Sequence, residues 1–428
     1  MELSYDSNVT VRPPGVTEAL RLRYGEQLKK MLFKHSLSTQ LQERREEFLS
    51  FDRILREDLS SGAEHLSRIA AQGSAEIKLR AGVAGAPGAV PSRELDEARS
   101  TVIPFKTAWR SHEEARRWAL DILFDRVTGA ADGSQYLPGR EITLPVAAVQ
   151  VAFFENPHTR DGKYIKEADL LLITPEEIMQ ADTDLDSLVG FRRFREETRV
   201  LKDFLKRHTG WRERRERMPL GFFDGTLLIS YARPRNAVQD RYVSTIIELI
   251  ELSRETGVPV VGYIDASYAR DLVNLLEALG EWKSSYAVHD AQVLGAPLEE
   301  GPLLKSWGDR TSFFYCEREG LHDDFLDENG DPLVGFAYLQ TTGEGMPARL
   351  DIPSWVFEAG LLAEVIDTVR AECVVGNGYP YALETADAAA VITSQDRNRL
   401  LHALQAFAEQ EKLGFRISRK AMSKSRRR

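Results

Sequence analysis

Cysteine is almost missing from this chain: Cys316 and Cys373 are the only two in 428 residues. They stand far apart, without His or Cys neighbours at zinc spacing. That argues against a disulfide framework and a structural zinc site, and both thiols are expected as small buried apolar residues. Long apolar runs are missing too. No stretch approaches the ~20 residues that span a bilayer, and the polar start Met1-Glu-Leu-Ser-Tyr-Asp lacks a signal-peptide core, so a cytosolic protein with no membrane association is expected. Histidine is sparse, and His158, His208, His289 and His322 show no paired metal-ligand spacing, so each is expected to be structural or solvated. There is no internal repeat, and no excess of positive charge. A formal charge of -10 speaks against indiscriminate coating of nucleic acid.

What is present is local. From Arg192 to Arg217 there are eleven Lys or Arg against five Asp or Glu, and eight basic residues with no acid follow Glu411. Such patches neutralise phosphates while acids elsewhere dominate the total. For the first patch a solvated helix face fits equally well, and the tail over 416–428 is expected to be disordered.

Hydrophobic periodicity divides the chain in three. Residues 1–110 read as a helical arm followed by a Gly/Pro-rich loop. Leu20, Tyr24, Leu28 and Met31 recur at helical spacing, as do Leu41, Phe48 and Leu55, and Ala81-Gly-Val-Ala-Gly-Ala-Pro-Gly-Ala-Val-Pro91 reads as a linker or surface excursion. The apolar stripes suit core packing or dimerisation. Residues 111–415 begin with a helix capped by Ser111. Strands follow from Asp132, over Ile142 to Phe154 and over Ala168 to Thr174, then a long helix from about Asp184 to His208. The strand carrying Asp224, a helix from Val238 to Glu255, the strand Val258 to Ile264 and a helix from Ser267 complete the core. The order β-β-β-α-β-α-β-α predicts an α/β fold, an RNase H-like mixed sheet flanked by helices. Further strands and C-terminal helices close the domain, and 416–428 is the basic tail.

The chemistry rests on acids. Ala131-Asp-Gly-Ser134 and Phe222-Phe-Asp-Gly-Thr-Leu227 share an Asp-Gly-hydroxyl pattern, in which Gly lets the chain turn and leaves the carboxylate clear of its backbone. Asp132 is expected to open the first core strand, and Asp224 lies on the fourth, which pairs beside the first in an RNase H-like sheet. On the long helix Phe194, Leu201, Phe204 and Leu205 mark the buried stripe. Glu197 falls on that face and Glu196 points away. A buried acid needs a cation, either a metal ion or a neighbouring arginine. Asp387 sits in an Ala-rich helix, as a fourth ligand or as an exposed helical acid, and Tyr379 either contacts a phosphate or packs. Several carboxylates at one point suit hard divalent ions, and phosphodiester cleavage uses two such ions about 4 Å apart.

In their order, Ala131-Asp-Gly-Ser134, the Arg/Glu helix, Phe223-Asp-Gly-Thr-Leu227 and Gly378-Tyr-Pro380 with its small-residue helix resemble the motifs of the NurA nucleases over roughly 127–392. The resemblance implies a manganese- or magnesium-dependent DNA nuclease, 5'-3' exonuclease and/or endonuclease. It further implies a homodimer working on DNA ends with a HerA-type hexameric ATPase, in repair or in defence against foreign DNA. Carried over, the site is Asp132, Glu197 (with Glu196 the alternative), Asp224, Tyr379 and Asp387, the last in a position where the family usually has His. Asp132, Asp224, Glu197 and Asp387 would hold metal, and Arg192, Arg193, Arg195 and Arg199 would grip the DNA backbone. The His-to-Asp departure leaves open a catalytically silent DNA-binding or adaptor subunit that regulates the ATPase.

Overall fold

The computed structural model describes residues 30, 33–83, 85–138, 144–229, 237–299, 301–321, 324–343 and 345–414. The start of the first predicted helix, the strand start at Ile142, His322 and the basic tail lie outside these. The chain divides into two compact units, one ending at Asp58 and one starting at Leu59. In the first, α1 covers 33–43 and α2 (Arg45–Arg68) begins. Here Phe33, Leu37, Leu41, Phe48 and Phe51 are exposed.

The second unit takes in the end of α2 from Leu59 and continues with α3 (Ser74–Gly82), β1 (Gly88–Pro91), α4 (Arg93–Ala98), β2 (Val102–Ile103) and α5 (His112–Leu123). Ser111 caps α5 as expected, accepting from the Glu114 amide. The Gly/Pro-rich stretch is not all linker, because β1 pairs antiparallel with a strand more than two hundred residues away, Phe314–Glu317. Then come β3 (Thr128–Tyr136), β4 (Ala147–Asn156), β5 (Ile165–Ile173), α6 (Pro175–Gln180), α7 (Leu185–Arg207), β6 (Leu220–Asp224), α8 (Ala237–Thr256), β7 (Val260–Ile264) and α9 (Asp271–Ala278). The chain finishes with α10 (Asp290–Leu294), β8 (Arg310–Thr311), β9 (Phe314–Glu317), β10 (Val334–Leu339), β11 (Ala348–Pro353), α11 (Ser354–Glu358), α12 (Leu362–Val375), α13 (Tyr381–Ala390) and α14 (Ser394–Gln410).

One mixed sheet runs β1-β9-β10-β11-β7-β6-β3-β4-β5, with β2 and β8 pairing off this path. Its core half has β3, β4 and β5 antiparallel and β6 and β7 parallel to β3. That is the predicted RNase H-like arrangement, and β8 to β11 extend it beyond β7. Ala147, Val149 and Val151 of β4 and Ile173 of β5 meet Val189 of α7 in the core, with Leu185 and Leu188 beside them. Burying this apolar stripe fixes α7 on the sheet. Successive strand residues point to opposite faces, so Gly133 meets α7 while Ser134 reaches α13. No helix among the described residues is long and apolar enough to cross a membrane.

Candidate active site

The parallel register of β3 with β6 ends at Ala131 opposite Phe223. One residue further, Asp132 and Asp224 are next to each other on adjacent strands. There β6 stops and β3 runs on to Tyr136, so one edge of β3 opens and the Gly133 amide faces the carboxylates of Asp132 and Glu197, moderating the rise of both. The site occupies this notch. Asp132 therefore lies within a strand, not at its opening, and its glycine does not make a turn. Gly133 is needed for close approach: a Cβ there would stand 2.5 Å from Glu197 Oε1 and 2.7 Å from Arg193 Cγ. The third member of the motif, Ser134, donates to the Ala390 carbonyl and accepts from the Ile392 amide at 3.0 Å, fastening the end of α13. Gln150 donates to the same carbonyl at 3.0 Å.

That fastening brings Asp387 into the notch. Its charge acts on Asp132 and helps to raise that carboxyl, while Asp387 itself is exposed to solvent. The other end of α13 is held by Glu372, which accepts from the Ala382 amide at 2.9 Å and from Thr128 Oγ1 at 2.7 Å, with His158 Nε2 3.6 Å away. Burial pushes the Glu372 carboxyl up, and His158 opposes that shift. Glu372 thus ties the strand bearing Asp132 to the helix bearing Asp387. An acid inside the apolar run Ala371-Glu-Cys-Val374 was the signal that could have found it.

Glu197 lies on the buried stripe of α7, 9% exposed. Arg193, one turn earlier, stands 3.4 Å from it. Contrary to the expectation that it points away, Glu196 is as buried as Glu197, at 8% exposed, because its carboxylate is covered by Arg199 at 2.8 Å and Arg195 at 3.2 Å, which hold it below the usual range. Of the four candidate DNA-gripping arginines, Arg195 and Arg199 therefore face Glu196, Arg199 also reaches Asp203, Arg192 pairs with Glu177, and Arg193 sits in the notch. Tyr379 donates to Asp224 Oδ1 at 3.1 Å and packs edge-on against Tyr263, with ring centroids 5.0 Å apart. Burial and the adjoining Asp224 push its phenol up.

The acids crowd one another. Burial, then the charges of Asp224 and Asp387, raise Asp132 to about 6. Burial first, then Asp132 and Asp224, raise Glu197 to about 7 against the opposing pull of Arg193. Asp224 is raised by burial and by Asp387, while Tyr379 and Arg193 lower it. As they stand, no three acids, histidines or cysteines among the described residues are close enough to hold one metal ion. The donor set nevertheless fits a hard divalent cation in its chemistry: it is all oxygen, and its surplus negative charge is the kind a divalent ion neutralises.

A sequence model of the NurA domain family matches residues 126–392. None of the curated proteins compared with the chain matches it. Among solved structures, a NurA crystal structure is similar at 11% identity over 66% of this chain and 88% of that one, with a TM-score of 0.39. The catalytic domain of human Endonuclease V is similar at 14% identity over 71% and 92% of the two chains, with a TM-score of 0.27. Endonuclease V from Bacillus subtilis is similar at 12% identity over 72% and 97%, with a TM-score of 0.28.

Proposed function

This chain belongs to the NurA family of nucleases, and from that premise we propose that it is a divalent-metal-dependent DNA nuclease acting on DNA ends. What supports this reading is that Asp224, Glu197 and Asp387, each from a different element, lie near enough to exchange charge effects with Asp132, with Tyr379 bonded to Asp224. In the proposal these four carboxylates hold manganese or magnesium, which when bound supplies an activated water and charge stabilisation of the leaving oxygen. Tyr379 orients the Asp224 carboxylate through its O–H. Arg193, 3.4 Å from Glu197 and acting on Asp224 as well, would meet a phosphate oxygen, which it can bind without reading sequence.

The wider reading has the protein working in the cytoplasm as a homodimer with a HerA-type hexameric ATPase, in repair or defence. The exposed Leu37, Leu41, Phe48 and Phe51 of the first unit support a partner surface there. Light scattering at micromolar concentration is expected to give twice the chain mass, and a monomer that forms no complex with the ATPase would remove both partners.

The deciding experiment is incubation of the purified protein with end-labelled linear DNA and manganese, magnesium or chelator. Shortening or internal cutting with metal, and none with chelator, is the expected result. DNA that is bound but stays intact under every metal condition would favour the silent adaptor subunit, the reading that Asp387 in the usual His position supports.

A further inference from the structure

The Asp224 carboxylate is carried on a short turn, Asp224-Gly-Thr-Leu227, whose far side is gripped by a residue from the sheet extension. Asp351, fully buried on β11, accepts through Oδ2 from Thr226 Oγ1 and from the Leu227 amide at 3.2 Å. Its other oxygen accepts from Arg349 Nε at 2.7 Å. Arg349 donates onward to Asp271 at 2.6 Å, and Arg318 grips both oxygens of Asp271 at 2.6 and 2.7 Å. Arg349 also lies 4.0 Å over the Phe336 ring. The turn itself leaves little slack. Gly225 has φ 127, a conformation an L side chain rarely adopts, and its carbonyl would be 2.6 Å from a Cβ at position 262.

We propose that Thr226 and Asp351 are positioning residues for the metal-binding Asp224, and that the buried Asp351–Arg349–Asp271–Arg318 chain is the rigid anchor against which the turn is set. This rests on the nuclease reading above. The physical case is that charged hydrogen bonds in a water-free interior resist displacement more than a loop's own backbone does. A carboxylate ligand must be held within about 0.5 Å of its productive place. Asp224 stands at the exposed end of β6, where Tyr379 holds one carboxylate oxygen, and the turn that follows sets where its backbone sits. Thr226 donates its hydroxyl proton to Asp351, and its Oγ1 in turn accepts from the Leu228 amide at 3.0 Å, so one hydroxyl fixes the turn on both sides.

The test uses the full chain with Thr226→Val, which removes the hydroxyl at nearly constant volume, and Thr226→Ser, which keeps it. Neither change touches the buried ion pairs, so both variants should fold. For Thr226→Val, kcat on linear DNA with manganese should fall about tenfold, given the cost of misplacing a catalytic group, while KM for DNA stays within about twofold. Amide exchange of the metal-free variant over 225–228 should quicken, and Thr226→Ser should stay within about threefold of the parent in kcat. Parental kcat in Thr226→Val, parental exchange over the turn, or a Ser variant as impaired as the Val variant would each overturn the proposal. Should the parent cleave no DNA at all, the nuclease reading fails and the exchange rates alone decide whether the anchor exists.

Discussion

Gly133 leaves no room for a side chain beside Glu197: a Cβ on the glycine would come within 2.5 Å of the glutamate's Oε1. The strand and the long helix can approach this closely only because the residue after Asp132 has no side chain. The carboxylate of Glu197 thereby comes under the influence of the Gly133 amide and of the Asp132 and Asp224 charges.

Gly133→Ala is therefore expected to harm activity more than stability. The atoms a methyl group would meet belong to the Glu197 and Arg193 side chains, which can swing away, so overpacking should cost about 1–3 kcal/mol. The displaced Glu197 should lower kcat on the order of 100-fold. Thermal melting and single-turnover cleavage, measured on the same preparation, check the split. An Ala variant with parental kcat would mean that Glu197 needs no such approach.

Glu197 offers a second test, through pH. Its carboxyl is raised to about 7 in the folded protein, so the folded state binds its proton more tightly than the unfolded state does. The sign follows. Without metal this group costs stability above pH 7, and the cost disappears as pH falls through 7 toward the ordinary carboxylate value. Glu197→Gln should accordingly raise the metal-free stability at pH 8, and with it the melting point, by up to about 3 kcal/mol, the pull of Arg193 being already contained in the shift. The same change should abolish most of the stabilisation that manganese gives the parent. Scanning calorimetry at pH 8 and pH 5.5, with and without manganese, reads all three effects. A variant less stable than the parent at pH 8 without metal would contradict the raised carboxyl.

Asp387 is held at the notch by Ser134 and Gln150 at one end of its helix and by Glu372 at the other. Asp387→Ala should weaken manganese activation and cut cleavage on the order of 10- to 100-fold, whereas Asp387→His should keep part of the activity by supplying another ligand. A metal titration in which the Ala variant matches the parent would return Asp387 to the role of an ordinary exposed acid.

Much of this architecture was legible in the sequence, for identifiable reasons. The α7 stripe of Phe194, Leu201, Phe204 and Leu205 sets its own periodicity, so placing Glu197 on the buried face needed only local spacing. The strand with Asp224 and the helix cap at Ser111 were equally local signals. What escaped depends on contacts distant in the chain. Gly88–Pro91 reads as loop by composition and becomes a strand only because Phe314–Glu317 pairs with it. The Asp132-Gly pair resembles a turn former, and its actual place inside β3 follows from the approach of α7. The joints made by Glu372 to α13 and by Asp351 to the Asp224 turn link residues whose separation no window along the sequence spans. The arginines of α7 looked like a cationic face, and their pairing with Glu177, Glu196, Glu197 and Asp203 appears only when rotamers are known.

The central claim is that the neighbouring acids of β3 and β6 jointly bind the catalytic metal, and the most direct measurement is cleavage of end-labelled linear DNA by Asp132→Asn and Asp224→Asn beside the parent, with manganese and with chelator. Asn preserves volume and removes the charged ligand, so both variants should fold with parental melting points or slightly higher ones, since the crowded carboxylates repel each other. Each should lose activity on the order of 100-fold or more, and the parent should be silent in chelator. Parental cleavage by both variants, or cleavage by the parent that continues unchanged in chelator, would contradict the assignment of this notch as the metal-binding active site.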